Sequence, residues 1–262
     1  MARRGVRVTD AQWATIEPLL PRMPRTARGG RPWASHRPVV DGILWVLKTG
    51  ARWRDLPAEY PSPSTCWRRL KRWDEDGTWL RVWRAIIAEL DGAWPVAVGD
   101  RVHRWHVRLG KKGGSDIGPT KRGKGSKCMV LVERQGIPVG ITITSASPTE
   151  VTLAEATLKT RVTPHRRNPK HLLGDRAYDS DPLRQRLAAR GIVLTSPYRS
   201  NNLHCRYEDG RRLRTYRHRW IIERTIAWFG AFRRLLVRYE RSTRMFLAFF
   251  QFAAALIALR RL

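Results

Sequence analysis

Two segments of the chain carry a carboxylate where a divalent metal ion could be bound. Tyr216, Arg219 and Glu223 recur at spacings of three and four residues, which puts all three on one face of a helix. Asp175 follows a short apolar run that is typical of a buried strand. A strand end and a helix that bring two carboxylates together could hold divalent cations for phosphoryl transfer. For Glu223 alone, an ion pair with a neighbouring arginine is the competing interpretation.

The chain has a large excess of positive charge. Among its 262 residues, Lys and Arg number 51 against 22 Asp and Glu, which gives a formal net charge of +29. Such an excess predicts a polyanionic partner, and nucleic acid is favoured over an anionic membrane surface. Hydrophobic residues make up 42% of the chain, which is enough for a folded core and argues against wholesale disorder.

The cysteines and the chain termini suggest a cellular compartment. Cys66, Cys128 and Cys205 are far apart in the sequence, which argues against a zinc site and against a disulfide framework. The first ten residues have no apolar stretch of the kind found in a secretory signal. The apolar run at 245–259 is too short to span a bilayer and predicts a core helix. These features predict a cytoplasmic protein with no membrane partner.

Residues 1–92 predict an all-helical domain. Thr9 and Gln12 have the spacing of a capping box before a helix at 10–20, and further helices are predicted at 37–48, 63–76 and 79–90. Ser62 and Pro63 are suited to the N-cap and the first turn of the third helix. A basic helix that follows another helix and a turn resembles a helix-turn-helix, although any exposed helix can be basic. The candidate DNA contacts on this helix are Arg68, Arg69, Lys71 and Arg72.

Residues 93–262 predict an α/β domain with a mixed sheet. The pattern predicts strands at 96–108, 127–133, 138–145, 172–175 and 192–195, and helices at 149–159, at 182–190 and from residues 216 and 243 onward. A basic, glycine-rich loop at 111–125 lacks the spacing of a nucleotide phosphate loop. Its basic side chains are candidate contacts to DNA phosphates, and they are Lys111, Lys112, Lys121, Arg122 and Lys124.

Several motifs taken together resemble one family. They are KKGG at 111–114, TKRGKGSK at 120–127, DRAYDSD at 175–181 and RWIIERTIAW at 219–228. Over nearly its whole length the chain resembles bacterial insertion-sequence transposases of the DDE class, in the insertion sequence 5 group. The resemblance implies a ribonuclease-H-like catalytic domain at residues 93–262, behind a DNA-binding domain at residues 1–92.

The same resemblance implies an activity and its partners. It implies a DNA transposase that binds the ends of an insertion element and catalyses metal-dependent strand cleavage and strand transfer. The implied cofactors are two Mg²⁺ or Mn²⁺ ions. The implied partner is double-stranded DNA, as terminal inverted repeats and as target, and a homodimer on DNA follows from family likeness alone. The implied location is cytoplasmic and associated with the nucleoid.

The resemblance also assigns the acidic residues. By similarity, Asp175 is the second metal-binding acid of the family and Glu223 is the third. The family has a basic residue seven positions after the third acid, where this chain has Gly230. That basic role is therefore either absent here or taken by a nearby arginine. The candidates for that role are Arg233 and Arg234. Arg219 matches an arginine of the family's helix signature, and all three are candidate DNA contacts.

The first acid departs from the family pattern. When the motifs are registered on residues 106–108, the family's aspartate falls on His103, and Asp100 lies three residues earlier. Residues three apart in a regular strand face opposite sides, so Asp100 could serve only with a shifted register or a bulge. Three outcomes stay open: Asp100 completes the site, His103 is a weak substitute ligand, or this copy binds DNA but is catalytically impaired. The sequence slightly favours a metal site of Asp100, Asp175 and Glu223.

Overall fold

The computed structural model describes residues 6–23, 32–93, 100–109, 113–120, 123–163, 168–199 and 212–262. For residues 100–109 it describes the backbone and not the side chains. The protein has a mixed α/β architecture, in which a helical N-terminal segment precedes a six-stranded sheet. Both the helical segment and the mixed sheet were predicted from the sequence.

In the described part of the chain, four α-helices precede the sheet: α1 Asp10–Ile16, α2 His36–Thr49, α3 Pro63–Glu75 and α4 Thr78–Ala93. The predicted capping box is confirmed, because the amides of Thr9 and Gln12 each donate to the other's side chain at 3.2 Å. The start of α3 is also confirmed, with Ser62 as the N-cap before Pro63. After α2, Gly50 has a φ of 72°, a left-handed conformation that suits glycine at a helix end.

The sheet contains β1 Asp100–Leu109, β2 Gly118–Thr120, β3 Gly123–Val132, β4 Pro138–Ser145, β5 His171–Gly174 and β6 Val193–Thr195. Strands β4, β3 and β1 lie side by side and are antiparallel, and β5 and β6 continue the sheet parallel to β1. The short β2, which the sequence pattern did not predict, pairs with the first residues of β3. The predicted start of the first strand, at 96–99, lies outside the described residues.

From β4 onward, the described residues contain four more α-helices: α5 Glu150–Lys159, α6 Asp181–Ala188, α7 Trp220–Gly230 and α8 Thr243–Leu259. The α-helix predicted from residue 216 needs a correction, because Arg212–Arg219 is a 3₁₀-helix and the α-helix begins only at Trp220. A 3₁₀-helix also places residues three apart on one side. Within the described residues, the structure has no helix that is both long and apolar enough to cross a membrane.

Helix α8 connects the N-terminal helices to the sheet. It packs against α3, α4 and β4. The ring centroids of Trp79 and Phe252 lie 4.4 Å apart, and Trp73 packs edge-on against Trp79 at 5.3 Å. The indole N–H of Trp83 donates to the carbonyl of Pro138 at 3.2 Å. The N-terminal tryptophans therefore stabilise a core that both parts of the chain share.

A buried ion pair lies beside this shared core. The side chains of Arg234 and Glu240 are 7% and 6% exposed, and their nearest atoms are 2.6 Å apart. Arg234 also donates to the carbonyl of Ala51 at 2.9 Å, which ties it to the N-terminal segment. Its guanidinium is therefore engaged inside the protein.

Arg234→Ala is expected to destabilise the fold strongly. Removing one partner of a buried ion pair leaves an uncompensated charge and costs roughly 3–5 kcal/mol. The exposed neighbour Arg233 provides a matched control, and Arg233→Ala should change the melting temperature little. Thermal unfolding of the two variants tests this expectation, and equal shifts in melting temperature would contradict it.

His36 joins α2 to two other segments. Its Nε2 lies 2.8 Å from the carbonyl oxygen of Pro21, and its Nδ1 lies 2.7 Å from a guanidinium nitrogen of Arg69. A guanidinium can only donate, so Nδ1 accepts and the neutral ring carries its proton on Nε2. Burial has the largest effect and lowers the pKa of His36. The hydrogen bond to the Pro21 carbonyl opposes it, the charge of Arg69 lowers the pKa further, and the charge of Glu17 raises it slightly, so the pKa is lowered overall.

Mild acid is therefore expected to destabilise the N-terminal helices. The unfolded chain binds a proton at His36 more readily than the folded chain does. The stability that the neutral ring contributes is thus complete above about pH 6.5 and is lost as the pH falls through the lowered pKa. The melting temperature should fall from about pH 7.5 to about pH 5.5. It should fall less in His36→Asn, which keeps an acceptor but cannot be protonated; parallel profiles for the two proteins would refute this role for His36.

Candidate functional site

Asp175 lies at the end of β5, where the chain leaves the sheet. Its backbone is extended, and its carboxylate caps the 3₁₀-turn Arg176–Tyr178 by accepting from the amide of Ala177 at 2.8 Å. The Ser196 hydroxyl, just after β6, donates to the Asp175 carbonyl at 2.6 Å. A side chain on Gly174 would come within 2.8 Å of the Tyr178 ring, so the turn closes tightly there. These contacts fix a half-buried carboxylate at the sheet edge, where the sequence predicted it.

A buried tyrosine, Tyr178, packs against this turn. Tyr178 is fully buried, and burial raises its pKa well above the usual value, with the nearby charges of Asp175 and Glu150 adding to the effect. Glu150 in turn pairs with Lys127 at 2.9 Å, and their side chains are only 14% and 5% exposed. Neither Tyr178 nor Glu150 was predicted as part of the site. The sequence signal for Tyr178 was its place inside the DRAYDSD motif, and for Glu150 it was the start of α5.

In the segment around Glu223, the three side chains lie close together as their spacing predicted, and Glu223 forms the ion pair with an arginine that its competing interpretation expected. Arg219 donates to the Tyr216 hydroxyl at 3.0 Å and to the Glu223 carboxylate at 2.8 Å. Its hydrogen bond to Tyr216, and then that to Glu223, raise the pKa of Arg219. The side chains of Arg219 and Glu223 are 40% and 44% exposed. Glu223 therefore lies at the surface with an arginine that holds its orientation.

The elements that carry the two acids pack on the same sheet. The 3₁₀-helix Arg212–Arg219 contacts β5 and β6, and α7 contacts β1 and β3. The segment with Glu223 thus contacts β5, the strand that ends before Asp175, and both of its neighbours, β1 and β6. Two other acids near this edge, Asp179 and Asp181, bind Arg184 at 2.8 and 2.9 Å.

Asp100 lies at the far end of the neighbouring strand from Asp175. In the parallel pairing of β1 with β5, Asp100 is opposite His171, four residues before Asp175. At about 3.3 Å per residue this is roughly 13 Å along the strand. Two ions about 3.5–4 Å apart, with ligands at about 2.0–2.1 Å, span only about 8 Å. The register therefore disfavours Asp100 as a partner of Asp175, and the side chain of Asp100 lies outside the described residues.

The register also bears on the position of the first acid. His103 is paired with Gly174. If the same register is extended by one residue, Asp175 is paired with Arg104. Because Asp175 is still extended, the alternation of the strand carries through it. The backbone thus offers Arg104, one residue beyond His103, as the position in register with Asp175. Among the described residues no group of three or more His, Cys, Asp or Glu side chains is arranged to hold a metal ion.

The predicted DNA contacts differ in what they bind. Arg69 is 5% exposed and donates to His36 and to the carbonyl of Ala34, so like Arg234 it serves the fold. Lys71 is exposed and lies 3.6 Å from Glu75. Arg219 is partly exposed and pairs with Glu223. The other described candidates are exposed, and they are Arg68, Arg72, Lys124 and Arg233. Four candidates lie outside the described residues, and they are Lys111, Lys112, Lys121 and Arg122.

Comparison with known families identifies the class of protein. Residues 8–83 match a family described as "putative transposase of IS4/5 family", and residues 102–258 match the family "transposase DDE domain". The second match covers more than half of the chain. This chain therefore belongs to the DDE transposase family.

Individual relatives come from insertion elements. The chain is 34% identical over 147 residues to a "putative transposase for insertion sequence element IS402" of Burkholderia cepacia, a match that covers 53% of this chain and 65% of that protein. It is 48% identical over 90 residues to an uncharacterized protein of the same element, covering 33% of this chain and 61% of that protein. The chain thus spans just under two thirds of the length of these relatives.

Proposed function

We propose that this protein is a DNA transposase whose catalytic domain has a ribonuclease-H-like fold. The fold assignment is supported by the order of the sheet, in which three antiparallel strands are continued by two strands parallel to the first. The excess of basic residues supports DNA as the substrate. The observation that carries the proposal is the DDE domain match, with Asp175 at a strand end and Glu223 on the adjacent helix.

Asp175 and Glu223 suit a divalent metal because both supply carboxylate oxygens, the ligands that Mg²⁺ prefers. Asp175 is held by the Ala177 amide and Glu223 by Arg219, so both carboxylates are oriented before any ligand binds. When bound, two such ions stabilise the attacking and the leaving oxygen of an in-line displacement at phosphorus.

The proposed reaction has two steps. In the first, water attacks a phosphodiester at the element end, the bond from phosphorus to the 3′-oxygen breaks, and a 3′-hydroxyl is released. In the second, that 3′-hydroxyl attacks a phosphodiester of the target and displaces another 3′-oxygen. Neither step requires a covalent bond between protein and DNA. Basic side chains that contact phosphates hold the DNA strands in place.

A second candidate function, a DNA-binding but catalytically impaired transposase copy, is favoured by the register of β1. Asp100 is about 13 Å along the strand from the row of Asp175. The positions closest to that row carry His103 and Arg104. Neither side chain brings the negative charge that offsets two divalent ions. On this proposal the protein binds element ends but cleaves them weakly in Mg²⁺.

One experiment separates the two candidates. The full-length protein is incubated with a plasmid that carries the DNA flanking its reading frame, with Mg²⁺, with Mn²⁺ or with chelator. Metal-dependent cleavage and joining would support the active transposase. Tight binding with little cleavage in Mg²⁺ and partial recovery in Mn²⁺ would support the impaired copy. Failure to bind DNA at all would refute both.

A further inference from the structure

A basic groove lies on the N-terminal helices. The residues that line it are far in the sequence from Asp175 and Glu223. It has a volume of about 720 Å³ and lies between residues 32–34 and the first turns of α3. It is lined by the segment around Trp33 and by the α3 face that carries Arg68 and Arg72. The remaining lining residues are Pro32, Ala34, Pro61, Ser62, Thr65 and Arg69. The described residues that line it include three arginines and no acid.

Arg69 builds the groove without facing solvent. Its guanidinium donates to the Ala34 carbonyl at 3.2 Å and to His36 at 2.7 Å, which fastens the 32–36 segment to α3. The same guanidinium lies 4.4 Å from the centre of the Trp33 ring. This cation–π contact helps to hold Trp33 against α3. Residue Arg69 therefore shapes the groove and leaves the binding of a ligand to its neighbours.

Positive charge is concentrated in the groove. The guanidinium carbon of Arg72 lies 4.7 Å from the centre of the Trp33 ring, on which Arg69 also packs. Burial lowers the pKa of Arg69, and the charge of Arg72 lowers it further. Arg68, one helical turn before Arg72, is exposed at the same face. Like charges held close together repel one another, and an anion between them would relieve that repulsion.

The shape of the groove decides which part of DNA it fits. A helix that reads bases must protrude into a major groove about 12 Å wide. Here the Arg68 and Arg72 face of α3 lines a concave groove together with Trp33, whose ring packs against Arg72. A concave basic surface complements the convex sugar-phosphate backbone and not the base edges.

We propose that this groove binds the phosphodiester backbone of DNA, and that Arg68 and Arg72 are phosphate contacts that act on every DNA sequence alike. The proposal rests on the proposed function, since it takes DNA as the partner. It gives this face of α3 a positioning role, in contrast to the base-reading role that a helix-turn-helix would suggest.

The test measures DNA affinity of the full-length protein against salt concentration, using a duplex with the element end and a duplex of random sequence. Each lost phosphate contact reduces the slope of log affinity against log salt by about 1, so Arg68→Ala with Arg72→Ala should reduce it by about 2 on both duplexes. Lys at both positions should restore most of the slope. The control removes the exposed arginines Arg54 and Arg84 of the same helical region, and its slope should change little.

The outcomes distinguish this proposal from the proposed function. Wild-type protein that shows no salt-dependent DNA binding would refute the transposase proposal itself. If wild-type protein binds and the Arg68 and Arg72 variant has the same slope as the control variant, the groove proposal is overturned. Loss of affinity on the element-end duplex alone would also overturn it, because such a loss shows base reading. Unchanged melting temperatures would establish that the variants remain folded.

Discussion

If this copy is catalytically impaired, the candidate that the register of β1 favours, Arg104→Asp is expected to raise Mg²⁺-dependent DNA cleavage by at least about 100-fold. The pairing of His103 with Gly174, extended by one residue, brings Arg104 into register with Asp175, where a third carboxylate would complete an oxygen-ligand set with Glu223. Removing even an outer partner of a metal ligand typically costs about 10–100-fold, so supplying a missing ligand should have a larger effect. The measurement is nicking and joining of plasmid DNA at saturating Mg²⁺.

Three further variants show whether the position or the change of charge matters. His103→Asp adds a carboxylate one residue earlier, where the sequence alone places the family's acid. It should raise cleavage less, because neighbouring residues of a strand face opposite sides. Arg108→Asp makes the same change of charge farther along β1, where residue 108 is paired with Ser126. It should not raise Mg²⁺-dependent cleavage. Wild-type cleavage that is robust in Mg²⁺ and lost in Asp100→Ala would show that Asp100 is the first acid after all.

Glu223→Ala, made in the Arg104→Asp protein, is expected to abolish the restored cleavage while DNA affinity stays within a few-fold. A metal ligand stabilises the transition state, whereas affinity comes mostly from phosphate contacts made by many basic residues. Single-turnover cleavage and fluorescence anisotropy with the same labelled duplex measure the two quantities separately. The effect on cleavage should be as large as the gain from Arg104→Asp.

The matched control for this variant is Glu89→Ala. Glu89 is an exposed glutamate of α4, so its removal makes the same change of charge far from β5 in the chain. It should leave both cleavage and affinity unchanged. If Glu223→Ala lost affinity and cleavage to the same degree while remaining folded, Glu223 would position DNA and would not be a metal ligand.

Local sequence determined much of the fold. The Thr9–Gln12 capping box and the Ser62–Pro63 helix start were predicted because caps depend on residues within one helical turn. The shared face of Tyr216, Arg219 and Glu223 was also predicted, and the ion pair of Glu223 with Arg219 matches its competing interpretation, since residues three and four apart meet on any helix. That prediction held although the first part of the segment is a 3₁₀-helix, because residues three apart share a side there too.

Which arginines face solvent was decided by the tertiary structure alone. Arg68 and Arg69 are adjacent in sequence, as are Arg233 and Arg234, and each pair was predicted to contact DNA. In each pair one guanidinium is exposed and the other is buried against groups distant in sequence: Ala34 and His36 for Arg69, and Ala51 for Arg234. Residue type and spacing cannot reveal such partners, because they come from segments that meet only in the folded chain.

The register between β1 and β5 was likewise decided by the tertiary structure. The sequence by itself determined that Asp175 ends a strand and that Glu223 lies on a helix, because apolar patterns and spacing report local structure. It could not determine which residue of β1 is in register with Asp175, since the two strands are about 70 residues apart and their pairing is set by the sheet as a whole. A shift of one residue in this pairing decides whether His103 or Arg104 is in register with Asp175, because side chains alternate between the two faces of a strand.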